Sequence, residues 1–137
     1  MRIVVLYSDS AEGAAALAHA EREARLRDAS VVLVGHVGVS QSSDDSRFEQ
    51  ARAAVDAAVA TLTSAGVAAD GRLEIGPSSP GASVVRVARE LDAELIVVGI
   101  RRRTPMGKLV LGSTSQEILL HADTPVLAVK ARREEDR

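Results

Sequence analysis

Short apolar runs alternate with longer segments of helical periodicity along this chain. Runs rich in branched aliphatic residues predict buried strands at residues 3–7, 31–37, 95–98 and 126–129. Residues 72–75 alternate between polar and apolar, which predicts a strand nearer a sheet edge. The polar residues 40–46 between two of the periodic segments predict a mobile loop.

Four helices are predicted between these strands. The first covers residues 11–27, after turn and cap residues at 8–10, and the last runs from about residue 113 to residue 122. The other two are predicted from apolar residues at helical spacing. These are Phe48, Val55, Val59 and Leu62 in one, and the core-facing stripe of Val84, Val87, Ala88 and Leu91 in the other.

Strands and helices therefore alternate five times. Such alternation predicts an α/β domain with a five-stranded parallel sheet, right-handed crossovers and helices on both faces. Ligands of doubly wound sheets lie beyond the carboxyl ends of the strands, at the switch point. The loops after the first and fourth strands are thus the expected pair of site loops.

The stretch from residue 95 to residue 115 carries the candidate chemistry. Gly99 is predicted to end the strand in a tight turn, and Gly112 to open a helix capped by Ser113 or Thr114, with Glu117 in its first turn. Unpaired N–H groups and the positive end of the helix dipole would converge there, and both favour a phosphate.

A basic loop joins that strand to that helix. It contains Arg101, Arg102, Arg103 and Lys108. A charge run is usually a solvated face, but positive charge between a switch-point strand and a helix N-terminus favours contact with a ligand phosphate.

Size and composition narrow the class of protein. A chain of 137 residues is expected to form one domain, here residues 1–131, followed by a charged tail at 132–137. With one Tyr, one Phe, no Trp and a net charge of −2, the chain is not expected to bind nucleic acid. No signal peptide and no membrane span are recognised, so a cytoplasmic location is expected.

Catalytic and metal motifs are not supported. The turn at residues 76–83 has P-loop glycine spacing, but Ala82 stands where Lys is needed, and no G-x-G-x-x-G pattern occurs. Without Cys, and with His19, His121 and their acidic neighbours lacking a third ligand, no metal is assigned. Ser113 lies about 12 Å from His121 along one helix, so no nucleophile or other catalytic residue is assigned.

The whole chain resembles the universal stress protein family. The resemblance rests on the opening residues 3–13 (Ile-Val-Val-Leu-Tyr-Ser-Asp-Ser-Ala-Glu-Gly) and on the block 90–99 (Glu-Leu-Asp-Ala-Glu-Leu-Ile-Val-Val-Gly). It continues in residues 111–122 (Leu-Gly-Ser-Thr-Ser-Gln-Glu-Ile-Leu-Leu-His-Ala) and in the Thr-Pro-Val-Leu-Ala-Val that ends at Val129. The family's signature is Gly, two residues, Gly, nine residues, then Gly-Ser or Gly-Thr. Gly99, Gly112 and Ser113 match that signature, whereas Arg102 replaces its second glycine.

The resemblance implies a stress-response module that binds ATP or AMP, with Mg²⁺ left open as an accompanying ion and at most slow ATP hydrolysis. It further implies the strand order 3-2-1-4-5 and a homodimer, which we expect to form through residues 126–129. Ser8 aligns with the family's usual acidic residue near the adenosine, and Asp9 follows as a substitute. The nucleotide-binding residues that it implies are Ser8, Asp9, Val37, Val98, Gly99, Arg102, Gly112, Ser113 and Thr114.

Two readings of Arg102 remain open. Its guanidinium could hold phosphate by charge-assisted hydrogen bonds, or its side chain could obstruct the site. The alternative function is therefore a protein-interaction or signalling module of the same fold that has lost nucleotide binding, with an unidentified protein partner. A phosphate-ester hydrolase is less supported because no general base is identifiable.

Overall fold

The computed structural model describes residues 1–39, 45–101 and 111–131 of the chain. Within those residues, five strands alternate with four helices as the periodicity predicts. In chain order they are β1 (Arg2–Leu6), α1 (Ala11–Arg27), β2 (Ser30–Gly38), α2 (Asp45–Ser64), β3 (Ala69–Gly76), α3 (Pro80–Glu90), β4 (Leu95–Ile100), α4 (Ser113–His121) and β5 (Val126–Lys130).

The strands form one parallel sheet in the order β3-β2-β1-β4-β5, as expected. Ile3 of β1 pairs with Val31 of β2 on one side and with Leu95 of β4 on the other. On one side of β1 the sheet continues with β2 and β3, and on the other side with β4 and β5. The switch point therefore lies between β1 and β4. The carboxyl ends of β1 and β4 are therefore the expected ligand edge.

The sheet separates two apolar cores. One core lies under α1 and α2 and includes Ile3 and Val5, whereas the other lies under α3 and α4 and includes Val4. Successive residues of β1 thus point to opposite faces, as the period of two in a strand requires. On α1 the buried side is built from Ala16, Ala20 and Ala24, whose small side chains let the helix lie close to the sheet.

The apolar residues that predicted α2 are not all buried. Val55 and Leu62 belong to the core, whereas Phe48 is 38% exposed. Val55 faces Gly35 and Gly71 over the middle of the strands, and Phe48 lies two helical turns, roughly 10 Å, nearer the end of the sheet. The loop predicted at residues 40–46 is shorter than expected because α2 already begins at Asp45.

Other predictions can be checked only in part. The edge strand β3 exists and is longer than the predicted 72–75. Residues 40–44 of the predicted loop and the tail at 132–137 lie outside the described residues. Within the described part of the chain, no helix is long and apolar enough to cross a membrane.

Candidate functional site

A cleft opens at the carboxyl ends of β1 and β4, where the topology places a ligand site. Its volume is about 840 Å³, within the range of small-molecule pockets. The cleft receives residues from the loops after both strands and from the N-terminal ends of α1, α3 and α4. Its lining includes Ser8, Ser10, Glu12, His36, Pro80, Val98, Gly99, Arg101, Gly112, Ser113 and Thr114.

The N-terminus of α4 opens into this cleft. Gly112 is the N-cap, since its carbonyl accepts the N–H of Gln116 at 3.0 Å, and no described side chain caps the helix. A Cβ built on Gly112 would meet no described atom within 4 Å. Residues 113–116 carry no acidic side chain, so the first turn of α4 does not itself compensate the positive end of the dipole. An anion is the ligand that this arrangement favours.

The predicted capping of α4 was wrong. Ser113 is already the first helical residue, so neither Ser113 nor Thr114 can serve as the N-cap. Glu117 lies beyond the first turn, and its carboxylate instead accepts a hydrogen bond of 2.6 Å from the Ser79 hydroxyl, which caps α3. Gly81 allows α3 and α4 to lie this close together, because a Cβ at Gly81 would lie only 3.1 Å from the carbonyl oxygen of Thr114. The hydroxyls of Ser113 and Thr114 are consequently not used in capping.

The N-terminus of α1 also reaches the cleft, but it is already compensated. The Ser10 hydroxyl accepts the N–H of Gly13 at 3.0 Å, and Glu12 supplies a carboxylate in the first turn. Both features satisfy the helix end without a ligand. Of the two helix ends, α4 is therefore the better phosphate site.

Gly99 has a different role from the one predicted. It lies inside β4, where it pairs with Val129, and not in a tight turn. A Cβ at Gly99 would lie 2.6 Å from the carbonyl carbon and 2.8 Å from the Cα of Glu12, and closer still to the carbonyl oxygen. The missing side chain thus lets the first turn of α1 lie directly against β4.

A second compartment adjoins the cleft between the end of β2 and α2. It measures about 680 Å³ and shares Tyr7, Ser8 and His36 with the first. Asp9 and the buried Val37 line it as well. The sequence-predicted residues thus fall into two adjoining groups, with Ser8 common to both compartments. Arg102 lies outside the described residues, as do Arg103 and Lys108.

Tyr7 and His36 were missed by sequence reasoning. Burial raises the pKa of the Tyr7 hydroxyl, and the neighbouring Asp9 carboxylate raises that pKa further. The Nε2–H of His36 donates to the carbonyl of Ser78 at 2.6 Å. This hydrogen bond fixes the ring and does not involve Nδ1. Both residues lie near the carboxyl end of an apolar strand, and that position in the sequence could have identified them as lining residues.

Metal ligation finds no support in the part of the chain that the structure describes. No group of three or more His, Asp or Glu side chains is placed to hold an ion there. What the cleft offers is an anion site at α4 beside a half-apolar compartment.

Comparison with known proteins agrees with this architecture. The model of the universal stress protein family matches residues 1–130. A universal stress protein of Mycolicibacterium smegmatis is 38% identical over 128 residues, which are 93% of this chain and 96% of that protein. The chain therefore belongs to the universal stress protein family.

Solved structures of the family superpose closely. The universal stress protein of Archaeoglobus fulgidus gives a TM-score of 0.82 at 34% identity, covering 95% of this chain and 98% of that one. A structure of the universal stress protein from Archaeoglobus fulgidus in complex with dAMP gives a TM-score of 0.75 at 30% identity, with the same coverage of both chains.

Proposed function

We propose that this chain is a stress-response module that binds an adenine nucleotide, ATP or AMP, in the cleft between the loops after β1 and β4. The observation that carries the proposal is the N-terminus of α4, which opens into that cleft with no described side-chain cap and no acidic residue in its first turn. Backbone N–H groups and the helix dipole there suit a phosphate.

The phosphates lie over Gly112, Ser113 and Thr114. No described atom lies within 4 Å of a Cβ built on Gly112, which supports close approach of a phosphate to the backbone, and the two hydroxyls add donors. The guanidinium of Arg102 is a candidate for a further phosphate contact. Gly99 contributes indirectly, because it admits the turn of α1 that borders the cleft.

The adenosine occupies the second compartment. Asp9 and Ser8 offer polar contacts near the ribose, and the end of β2 at Val37 offers backbone groups to the base. Val98, which is buried at the floor of the cleft, provides apolar contact between the two ends. A relative at 30% identity forms a complex with dAMP, which supports a base and a monophosphate as the minimum ligand.

The same family membership supports a homodimer through β5, which is an edge strand with one row of backbone groups facing away from the sheet. Ala131 donates its N–H to Ile100 of β4, so the alternation of a parallel ladder directs the N–H of Ala128 toward the free edge. A second copy related by a two-fold axis would satisfy that row.

Ligand retained by the purified protein is the first test. Denaturation followed by mass spectrometry is expected to release ATP or AMP. Calorimetric titration with each nucleotide, with and without Mg²⁺, then measures affinity and whether the ion takes part. The matched variants are Gly112→Val, expected to weaken binding at the α4 terminus, and Ala60→Val, an exposed position of α2 that lines neither compartment, as control.

Absence of any adenine nucleotide binding at millimolar concentration would remove this proposal. The alternative, a protein-interaction module of the same fold, would then stand, since Arg102 occupies a glycine position of the family signature. Arg102→Gly separates the two readings of that residue. Weaker binding means that the guanidinium holds phosphate, and tighter binding means that the side chain obstructs.

A further inference from the structure

Glu12 lies at the phosphate end of the cleft without a part in the proposed contacts. Its backbone is held against Gly99, which fixes where its side chain begins. Glu12 lines the same compartment as Ser113 and Thr114, and its side chain is 32% exposed. A negative charge therefore stands beside the place where phosphates would bind.

The partner of Glu12 is Arg101. The Nε of Arg101 lies 3.6 Å from Oε1 of Glu12, but the arginine side chain is 88% exposed, so solvent screens the pair. Among the described residues that line this compartment, Glu12 is the one carboxylate and Arg101 the one guanidinium. A phosphate that pairs with Arg101 competes with Glu12 for that cation, and the carboxylate of Glu12 also repels the phosphate.

We propose that Glu12 is a specificity-determining residue that selects nucleotides by charge, so that the cleft prefers a nucleoside monophosphate to a triphosphate when no divalent cation is present. This inference rests on the proposed function and deepens it. At a solvent-screened position such as this one, removing one carboxylate is expected to change affinity by about twofold to fivefold per ligand charge. The effect grows with each phosphate and vanishes for an uncharged nucleoside.

The test compares the parent chain with Glu12→Gln, which keeps the shape of the side chain and removes its charge. Adenosine, AMP, ADP and ATP are titrated calorimetrically in the presence of a chelator at about 50 mM salt. We expect unchanged affinity for adenosine, a gain of about threefold or more for AMP, and larger gains for ADP and ATP. These gains should shrink at about 0.5 M salt.

Glu23→Gln is the matched control. It makes the same change in net charge on the same helix, and Glu23 pairs with Arg27 at 3.2 Å, some three turns from the cleft. Its nucleotide affinities should equal those of the parent chain.

Four outcomes would overturn the proposal while leaving nucleotide binding intact. These are a parent chain that binds ATP more tightly than AMP in the presence of the chelator, an ATP affinity that does not rise in Glu12→Gln, a gain in that variant that includes adenosine, and an equal gain in the Glu23 control. If the parent chain and the variant both fail to bind every ligand, the proposed function falls and this inference falls with it.

Discussion

Substitution of the two signature glycines at the cleft, Gly99 and Gly112, should lower stability by different amounts. A Cβ at Gly99 would lie within 2.6 Å of the carbonyl carbon of Glu12, whereas a Cβ at Gly112 would meet no described atom within 4 Å. Both residues have negative φ or ordinary strand geometry, so backbone strain does not distinguish them. Gly99→Ala should therefore destabilise the fold more than Gly112→Ala does.

The size of the effect follows from the contact. To reach ordinary van der Waals separation at Gly99, the first turn of α1 must retreat by roughly 1 Å, a backbone shift at the upper end of overpacking costs, about 3 kcal/mol. In a chain of this length that loss lowers the melting temperature by about 10 °C. Gly112→Ala should cost about 1 kcal/mol or less, because its Cβ meets no described atom but alanine is a poorer N-cap than glycine.

Urea unfolding followed by circular dichroism measures both variants. The slope against denaturant must be unchanged for the midpoints to report stability alone. A Gly99→Ala protein that unfolds within about 0.5 kcal/mol of the parent would refute the assignment of this glycine to helix packing. A Gly112→Ala protein that loses about 2 kcal/mol or more would show that a Cβ at this position meets packed atoms.

Three further predictions concern other parts of the chain. Ala128→Pro should remove an outward-facing donor of β5, so light scattering should give a mass near twice 14.4 kDa for the parent and a lower one for the variant; a monomeric parent would end the dimer proposal. Ser79→Ala should cost about 1 to 2 kcal/mol of stability in urea, because it removes the α3 cap and the partner of Glu117; an unchanged midpoint would contradict both roles. Tyr7 is the single tyrosine, so its absorbance should titrate above the ordinary pKa of 10.0, and Asp9→Asn should lower that midpoint. Because the pKa of Tyr7 is raised in the folded state, the protonated hydroxyl contributes to stability. That contribution is complete below the unfolded-state pKa and is lost as the pH rises through the folded-state pKa. A titration midpoint at or below 10.0 would contradict the burial of Tyr7.

The sheet and its layers were predictable because they depend on local pattern. Apolar runs such as residues 95–98 identify strands buried on both faces, and the stripe around Val84 identifies a helix lying against the sheet. The strand order followed from the family resemblance, since periodicity alone does not choose among topologies.

The finer features of the cleft depend on contacts between distant residues, and there the predictions were weaker. Whether Gly112 or Ser113 caps α4 depends on one residue's backbone angles, which several hydroxyl residues in a row leave undetermined. Gly99 makes room for the first turn of α1, and Glu12 lies at the cleft. Both features follow from packing between segments some 87 residues apart. Residue types in sequence carry no signal for such a contact.

The sheet divides the molecule into two layers. The N-termini of α1, from one layer, and of α4, from the other, nevertheless both lie at the cleft. A ligand that contacts both helix ends would connect layers whose cores are otherwise built independently. Amide hydrogen exchange at the first turns of α1 and α4 should then slow together when ligand is added, although the two helices belong to different cores. Cooperativity between the two halves of the fold would in that case be set by occupancy of the cleft as well as by the sheet.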